Sequence, residues 1–518
     1  MYNKSLFIAC ATGFGHIRGM YNKSLSIACG AGLFFGLTIQ QGITAPKTSG
    51  NSLADLARQA VSTNTNISTR AIAALRASGP AGLEALVLVN SEMITLHESE
   101  ALPRPAGNTQ PAWSRLRAAL DAVSGQRDCS ASRLFWYTDF DQAKAAAKSS
   151  GKPILSLRLL GRLDEEYSCA NSRFFRTTLY ANAEISKYLR DHFIMHWKSV
   201  RPVPRITVDF GDGRKIERTV TGNSIHYILD ADGNAIDALP GLYAPAEFLK
   251  QLKIAEQEAI RFANDQSADR YFHLRQYHGQ CAANSQSAFM NDYTRATAIP
   301  IAQPVGTTVS TNPALTEIMS DPQFRAAIKA LELRDGIDLL TAPEVAGTAL
   351  VQPVNGGSAR PTALAAGSIS GSKFEVERPL LKSFQDVDDA TWQKIAALHQ
   401  ADYVLDPASV RLIQSKAPSA KEAARKTASK GGYENPMIRM IQNLQRSIGE
   451  DTVRNEYALH FTIHQWYADD SAPRDLDQLN ARVYAQLFLT PDSDPWLGLV
   501  PANTFSGLDN NGLVVPSK

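Results

Sequence analysis

The sequence predicts an α/β domain over residues 126–263, flanked by mainly helical N- and C-terminal regions. Three observations predict it. Apolar runs of strand length alternate with helical patterns between Trp136 and Leu252. Turn signals, Gly151-Lys152-Pro153 and Asp230–Gly233, separate those runs. Outside the region the apolar residues return to helical spacing.

Taken in order, residues 52–100 carry LADLARQAV and TRAIAALRASGPAGLEALVLV, two helical patterns split by Gly79-Pro80, which predict a helical hairpin. A Pro-rich link over 102–111 leads to a helix over 113–123. An Ala/Lys-rich helix follows over 138–149, then an apolar strand over 154–160, a helix over 182–192 and a strand over 193–200. Residues 205–220 read as a hairpin around Gly211-Asp212-Gly213. Strands at 225–229 and 235–239 flank the Asp230–Gly233 turn, and a helix over 244–262 closes the domain. Residues 266–297 continue as helix. From 298 to 373 the chain is rich in Gly, Pro, Ser, Thr and Ala, a linker composition. Helical periodicity resumes over 375–489, and the tail is expected to be ordered but irregular, docking back through Trp496. The expected organisation is a leader (1–45), a helical region (46–125), the α/β domain (126–263), a helix with linker (264–374) and a helical C-terminal domain (375–518).

At 518 residues the chain exceeds what one hydrophobic core normally serves. Lys and Arg number 53 against 51 Asp and Glu, so no broad field favours nucleic acid or an acidic partner. The N-terminus is duplicated: MYNKSLFIAC at Met1 recurs as MYNKSLSIAC at Met20. The second copy runs into a short apolar stretch over 25–39 with small residues after it, the pattern of a secretory signal peptide, with Met20 as the expected start. The stretch is short for a membrane span. The expectation is export to the periplasm or beyond, with membrane contact only through an uncleaved leader. Cys10 and Cys29 belong to the leader. Cys129, Cys169 and Cys281 remain, too few for a disulfide framework, though one bridge plus one thiol stays open.

The segment from Trp136 to Leu252 resembles the thioredoxin-like superfamily. The resemblance is carried by FDQAKAAAKSSGKPILSL, by SCANSRFFRTTLYANAEISKYLRDHFIMHWKSV and by SIHYILDADGNAIDALPGLYAPAEFLKQL, about a quarter of the chain. It implies a redox C-x-x-C before a helix and a cis-proline before a later strand. Here Cys169 falls on the first cysteine and Ser172 on the second, giving Cys169-Ala170-Asn171-Ser172, and Ser224 stands at the proline position. Without a resolving thiol, dithiol turnover cannot close. The hairpin over 205–220 is an addition to the family pattern, either a device for binding a protein partner or a tolerated insertion. Residues 313–345, with the sequence DLLTAPEV, are similar to a short stretch of bacterial secretin-type pore proteins, and no pore function is carried over.

Other candidates are weaker. Asp164-Glu165-Glu166 reads as a solvated loop, since acidic neighbours oppose thiolate formation. His460 and His464, at i and i+4, share a helix face, but a metal needs further ligands, and helix packing accounts for the pair. Neither metal nor cofactor is expected, and no phosphate-binding or nucleophile-elbow motif is present. Two functions stay open: an exported, non-catalytic scaffold or protein-binding module with a degenerate thioredoxin-like domain, or a monothiol thiol-disulfide enzyme using Cys169. Burial of Cys169 would exclude the enzyme.

Overall fold

All seven residues of Ile154–Leu160 are buried, as a strand covered on both faces requires. This strand, β2, is the centre of a mixed five-stranded sheet in a computed structural model that describes residues 52–98, 109–219, 222–298, 387–417, 436–491 and 493. The expected leader, the linker with its secretin-like piece, and the tail around Trp496 lie outside the described residues. Among those described, no helix is long and apolar enough to cross a membrane.

The sheet contains β1 (Trp136–Tyr137), β2, β3 (Ile194–Arg201), β6 (Ser224–Leu229) and β7 (Ala235–Pro240), in the order β1-β3-β2-β6-β7. β3 runs parallel to β1 and β2, whereas β6 runs antiparallel to β2 and β7. The α/β pattern expected from sequence is present, with helices flanking the sheet. The two-residue β1 was not expected, because it is too short to show a period. Between β3 and β6, β4 (Arg205–Asp209) and β5 (Lys215–Thr219) form the expected hairpin as a separate two-stranded ribbon.

Helix ends follow local chemistry. In α7 (Phe140–Ser150) the Asp139 carboxylate accepts from the Gln142 N–H, and Gly151, at φ +70°, closes the other end in the left-handed region. Asn182 caps α9 (Ala183–His192) in the same way, accepting from the Ile185 N–H. Before the sheet, residues 52–98 form four helices rather than a hairpin of two: α1 (Leu53–Ala60), α2 (Thr65–Ala77), α3 (Pro80–Val89) and α4 (Ser91–Glu98). With α5 (Thr109–Ser124) and the short α6 (Cys129–Ser132) they bury their own apolar cluster, which includes Leu75, Leu86, Leu120 and Cys129.

The C-terminal helices share the core of the sheet. One continuous cluster joins Leu157 and Ile236 to Ile395, Ile463 and Tyr484. Besides α7 and α9, its helical side includes α8 (Ala170–Phe174), α10 (Pro245–Asn264), α11 (Arg270–Ala298), α12 (Asp389–Leu398), α13 (Pro407–Lys416), α14 (Pro436–Arg454), α15 (Phe461–Ala468) and α16 (Leu476–Gln486). A π-helical turn, Asn455–His460, joins α14 to α15, and another, Phe175–Leu179, follows α8. β7 ends the sheet, yet every residue of it is buried. Side chains of α11 and α15 occupy its free carbonyls: His278 Nε2 donates to Ile236 O (2.9 Å) and the Tyr467 hydroxyl to Ala235 O (3.2 Å). An edge that would otherwise be open to pairing is thereby closed.

Candidate functional site

Cys169 follows a short loop after β2, and its backbone N–H donates to Leu160 O at 3.0 Å. It sits at the N-cap of α8. The thiol donates to Ser172 Oγ at 3.3 Å, and the Ser172 hydroxyl donates back to the Cys169 carbonyl at 2.9 Å. Ser224 opens β6 opposite Leu159, one residue from the end of β2. The fold therefore gathers Cys169, Ser172 and Ser224 at one end of the sheet. All three are fully buried, with 0% exposure.

The cover over this end comes from the chain itself. The Tyr484 hydroxyl of α16 donates to Asn223 O (3.1 Å), and Asn223 Nδ2 donates to Thr490 Oγ1 (2.9 Å). Arg201 donates to the carbonyls of Thr490 and Pro491. At the start of α16, Asp477 pairs with the buried Arg158 (3.2 Å) and with Lys198 (2.9 Å). Among the described residues, buried polar atoms without a hydrogen-bond partner here include Ser168 Oγ, Asn171 Nδ2, Ser224 Oγ, and Nε and Nη1 of Arg158. The acidic run is engaged elsewhere, Asp164 with Arg162 (2.6 Å) and Glu166 with Arg127 and Lys416. Cys129, Cys169 and Cys281 are all free thiols. Cys129 lies in the N-terminal helical cluster, where burial pushes its thiol up to about 12.

A second polar centre lies at the β7 edge of the sheet, and sequence reasoning found only part of it. Asp237 of β7 is buried, with 1% exposure. Its Oδ2 accepts from the Tyr277 hydroxyl (2.9 Å), and its Oδ1 accepts from the Ala238 N–H (2.8 Å) and lies 3.1 Å from His460 Nε2. His460 Nδ1 lies 2.9 Å from Glu456 Oε2. Burial favours a neutral His460 ring, but Glu456 and Asp237 outweigh it and raise the group to about 10. Burial likewise opposes ionisation of Asp237, yet the surrounding histidines hold its carboxyl well below the usual range. The buried pair is Asp237 carboxylate with His460 imidazolium.

His278 and His464 complete the centre. Their Nδ1 atoms are 2.8 Å apart, and His464 Nδ1 is 4.0 Å from Asp237 Oδ1. Burial pushes His278 down to about 4, and burial together with the His460 charge pushes His464 well below its ordinary value, so both rings are neutral at pH 7. Asp237, His278 and His464 each present one donor atom, all within 4.8 Å of one another, and they form the metal-capable group among the described residues. The i, i+4 histidines were visible in sequence, but His278 and Asp237 were not. The available signal was Asp237 itself, a carboxylate in the apolar strand Ala235–Pro240, which demands buried partners.

No family model matches the chain, and neither the curated proteins nor the solved structures give a significant match.

Proposed function

We propose that the α/β domain is a degenerate thioredoxin-like domain used as a non-catalytic scaffold within an exported protein. Support for the thioredoxin-like assignment comes from the order β1-β3-β2-β6-β7, with two parallel pairings followed by two antiparallel ones. The observation that carries the non-catalytic reading is the sealing of Cys169. A thiol-exchange nucleophile must reach a disulfide sulfur of its substrate, whereas Cys169 has no exposed surface and its sulfur is engaged by Ser172. Asn223, beside the proline position, is occupied on both its carbonyl and its side chain by the chain's own Tyr484 and Thr490. The monothiol alternative requires this cover to leave.

A protein-binding role would use the β4–β5 hairpin. Ile206, Val208, Phe210 and Ile216 are all exposed there, at 37%, 46%, 51% and 41%. Val208 pairs directly with Ile216 across the ribbon, so the exposed apolar side chains are adjacent.

The test is the alkylation rate of Cys169 in the native chain, read residue by residue by mass spectrometry, with guanidinium-unfolded chain as the fully reactive control. The expected native rate is at least 100-fold below that control and falls further when stability is raised. Alkylation of native Cys169 at the unfolded rate would overturn the scaffold reading and restore the monothiol enzyme.

A further inference from the structure

We propose that Asp237, His278 and His464 bind one divalent first-row transition-metal ion, which clamps β7 to α11 and α15. The donors come from three separate elements, and each is already oriented. A carbonyl can only accept, so the contact of His278 Nε2 with Ile236 O places the ring proton on Nε2. The Nδ1 lone pair of His278 therefore points into the centre. This is the outer-shell arrangement that holds metal-binding histidines in one tautomer. Asp237 is steadied on Oδ2 by Tyr277 and on Oδ1 by His460, which is itself held by Glu456.

With a lone pair on His278 Nδ1, the proton in the 2.8 Å contact belongs to His464 Nδ1. A cation takes the place of that proton, which moves to Nε2 of the same ring, and both Nδ1 lone pairs become ligands. A tetrahedral metal with bonds of about 2.0–2.2 Å spaces its donors about 3.3–3.6 Å apart. The spacings of 2.8 and 4.0 Å lie on either side of that range, so small side-chain shifts complete the geometry. Two imidazoles and one carboxylate suit zinc or iron(II) and disfavour magnesium and calcium, which prefer all-oxygen shells. The π-helical turn ending at His460 adjusts the register at which α15 presents His464 beneath the strand.

Without a metal, the same side chains would serve only as a hydrogen-bonded dock for the helices, and the experiment separates the two. The full chain is stripped with a chelator, then titrated with Zn²⁺ while bound metal and Tm are measured. One zinc per chain, a Tm rise reversed by chelator, and at least tenfold weaker binding in His464→Gln are expected. The half-buried His273, paired with Asp265 away from the centre, supplies a control: His273→Gln should bind as the unaltered chain does. Because His464→Gln also removes a buried hydrogen bond, Co²⁺ loading of the unaltered chain supplies a readout independent of any variant's stability. Intense visible absorption from a four- or five-coordinate nitrogen/oxygen site is expected. A chain that takes up no stoichiometric zinc, shows no Tm shift and leaves Co²⁺ with its aqueous spectrum would overturn the proposal. Undiminished binding in a folded His464→Gln would also overturn it, by placing the ion elsewhere.

Discussion

Gly241 illustrates how single positions in this chain are set by packing rather than by local propensity. It follows β7 at φ +78°, a conformation side chains other than hydrogen seldom adopt, and a Cβ there would lie 2.5 Å from Asn455 Nδ2 and 2.7 Å from its Oδ1. Asn455 cannot readily withdraw, because its Nδ2 donates to Leu242 O at 2.7 Å within the core. Gly241→Ala therefore combines backbone strain with overlap, and a loss of about 1–3 kcal/mol is expected in urea denaturation. Cys169 makes a related point. Its place before a helix gave the residue a chemical reading in sequence, whereas in the fold it is completely buried with a serine partner.

At the scale of elements, two C-terminal pieces do for the sheet what local sequence does not. α15 and α11 close the β7 edge through Tyr467 and His278. α16 and the residues after it cover the end where Cys169 and Ser224 meet, through Tyr484 and Thr490. If the cover is what protects the thiol, loosening it should expose Cys169 without unfolding the sheet. Combining Tyr484→Phe with Thr490→Ala removes both contacts to Asn223 and leaves the ring of Tyr484 in place. Alkylation of Cys169 should then rise at least tenfold over the unaltered chain while far-UV circular dichroism stays the same. An unchanged rate would show that the thiol is protected by the sheet and α8 alone.

At the scale of the whole molecule, buried histidines set the response to pH. His196 and His226 lie on neighbouring parts of the sheet, and burial pushes each down to about 3. His196 Nδ1 meets Ser156 Oγ at 2.9 Å, and His226 Nε2 meets the Tyr180 hydroxyl at 2.7 Å. The folded chain keeps both neutral where the unfolded chain binds protons. Their contribution is therefore complete above about pH 6.5 and is lost as the pH falls towards about 3. Each such group gives a slope of about 1.4 kcal/mol per pH unit between its unfolded and folded values, and His278 and His464, also pushed down by burial, add with the same sign. His460 has the opposite sign. Its folded value is raised to about 10, so its contribution is complete below about pH 6.5 and fades as pH rises towards 10. Urea midpoints measured from pH 4 to 10 should peak near neutrality, and His226→Gln should flatten the acid limb alone.

Elements that depend on short-range pattern are legible along the chain. The apolar run of β2, the Gly151 stop, the Gly211–Gly213 turn of the hairpin and the alternation of strands with helices are written in neighbouring residues. The pair of His460 and His464 on one helical stretch was legible for the same reason. Contacts between residues far apart in the chain are not legible in this way. Asp237, His278 and His464 span more than two hundred positions, and no local period links a strand carboxylate to histidines on two helices. The cover at the Cys169 end of the sheet comes likewise from Tyr484 and Thr490, about three hundred residues downstream, whose hydrogen bonds to Asn223 carry no trace in the motif Cys169–Ser172. Both cases share one cause. Periodicity reports which face of an element is apolar, whereas the identity of the group that meets a buried polar atom is fixed only when distant elements pack.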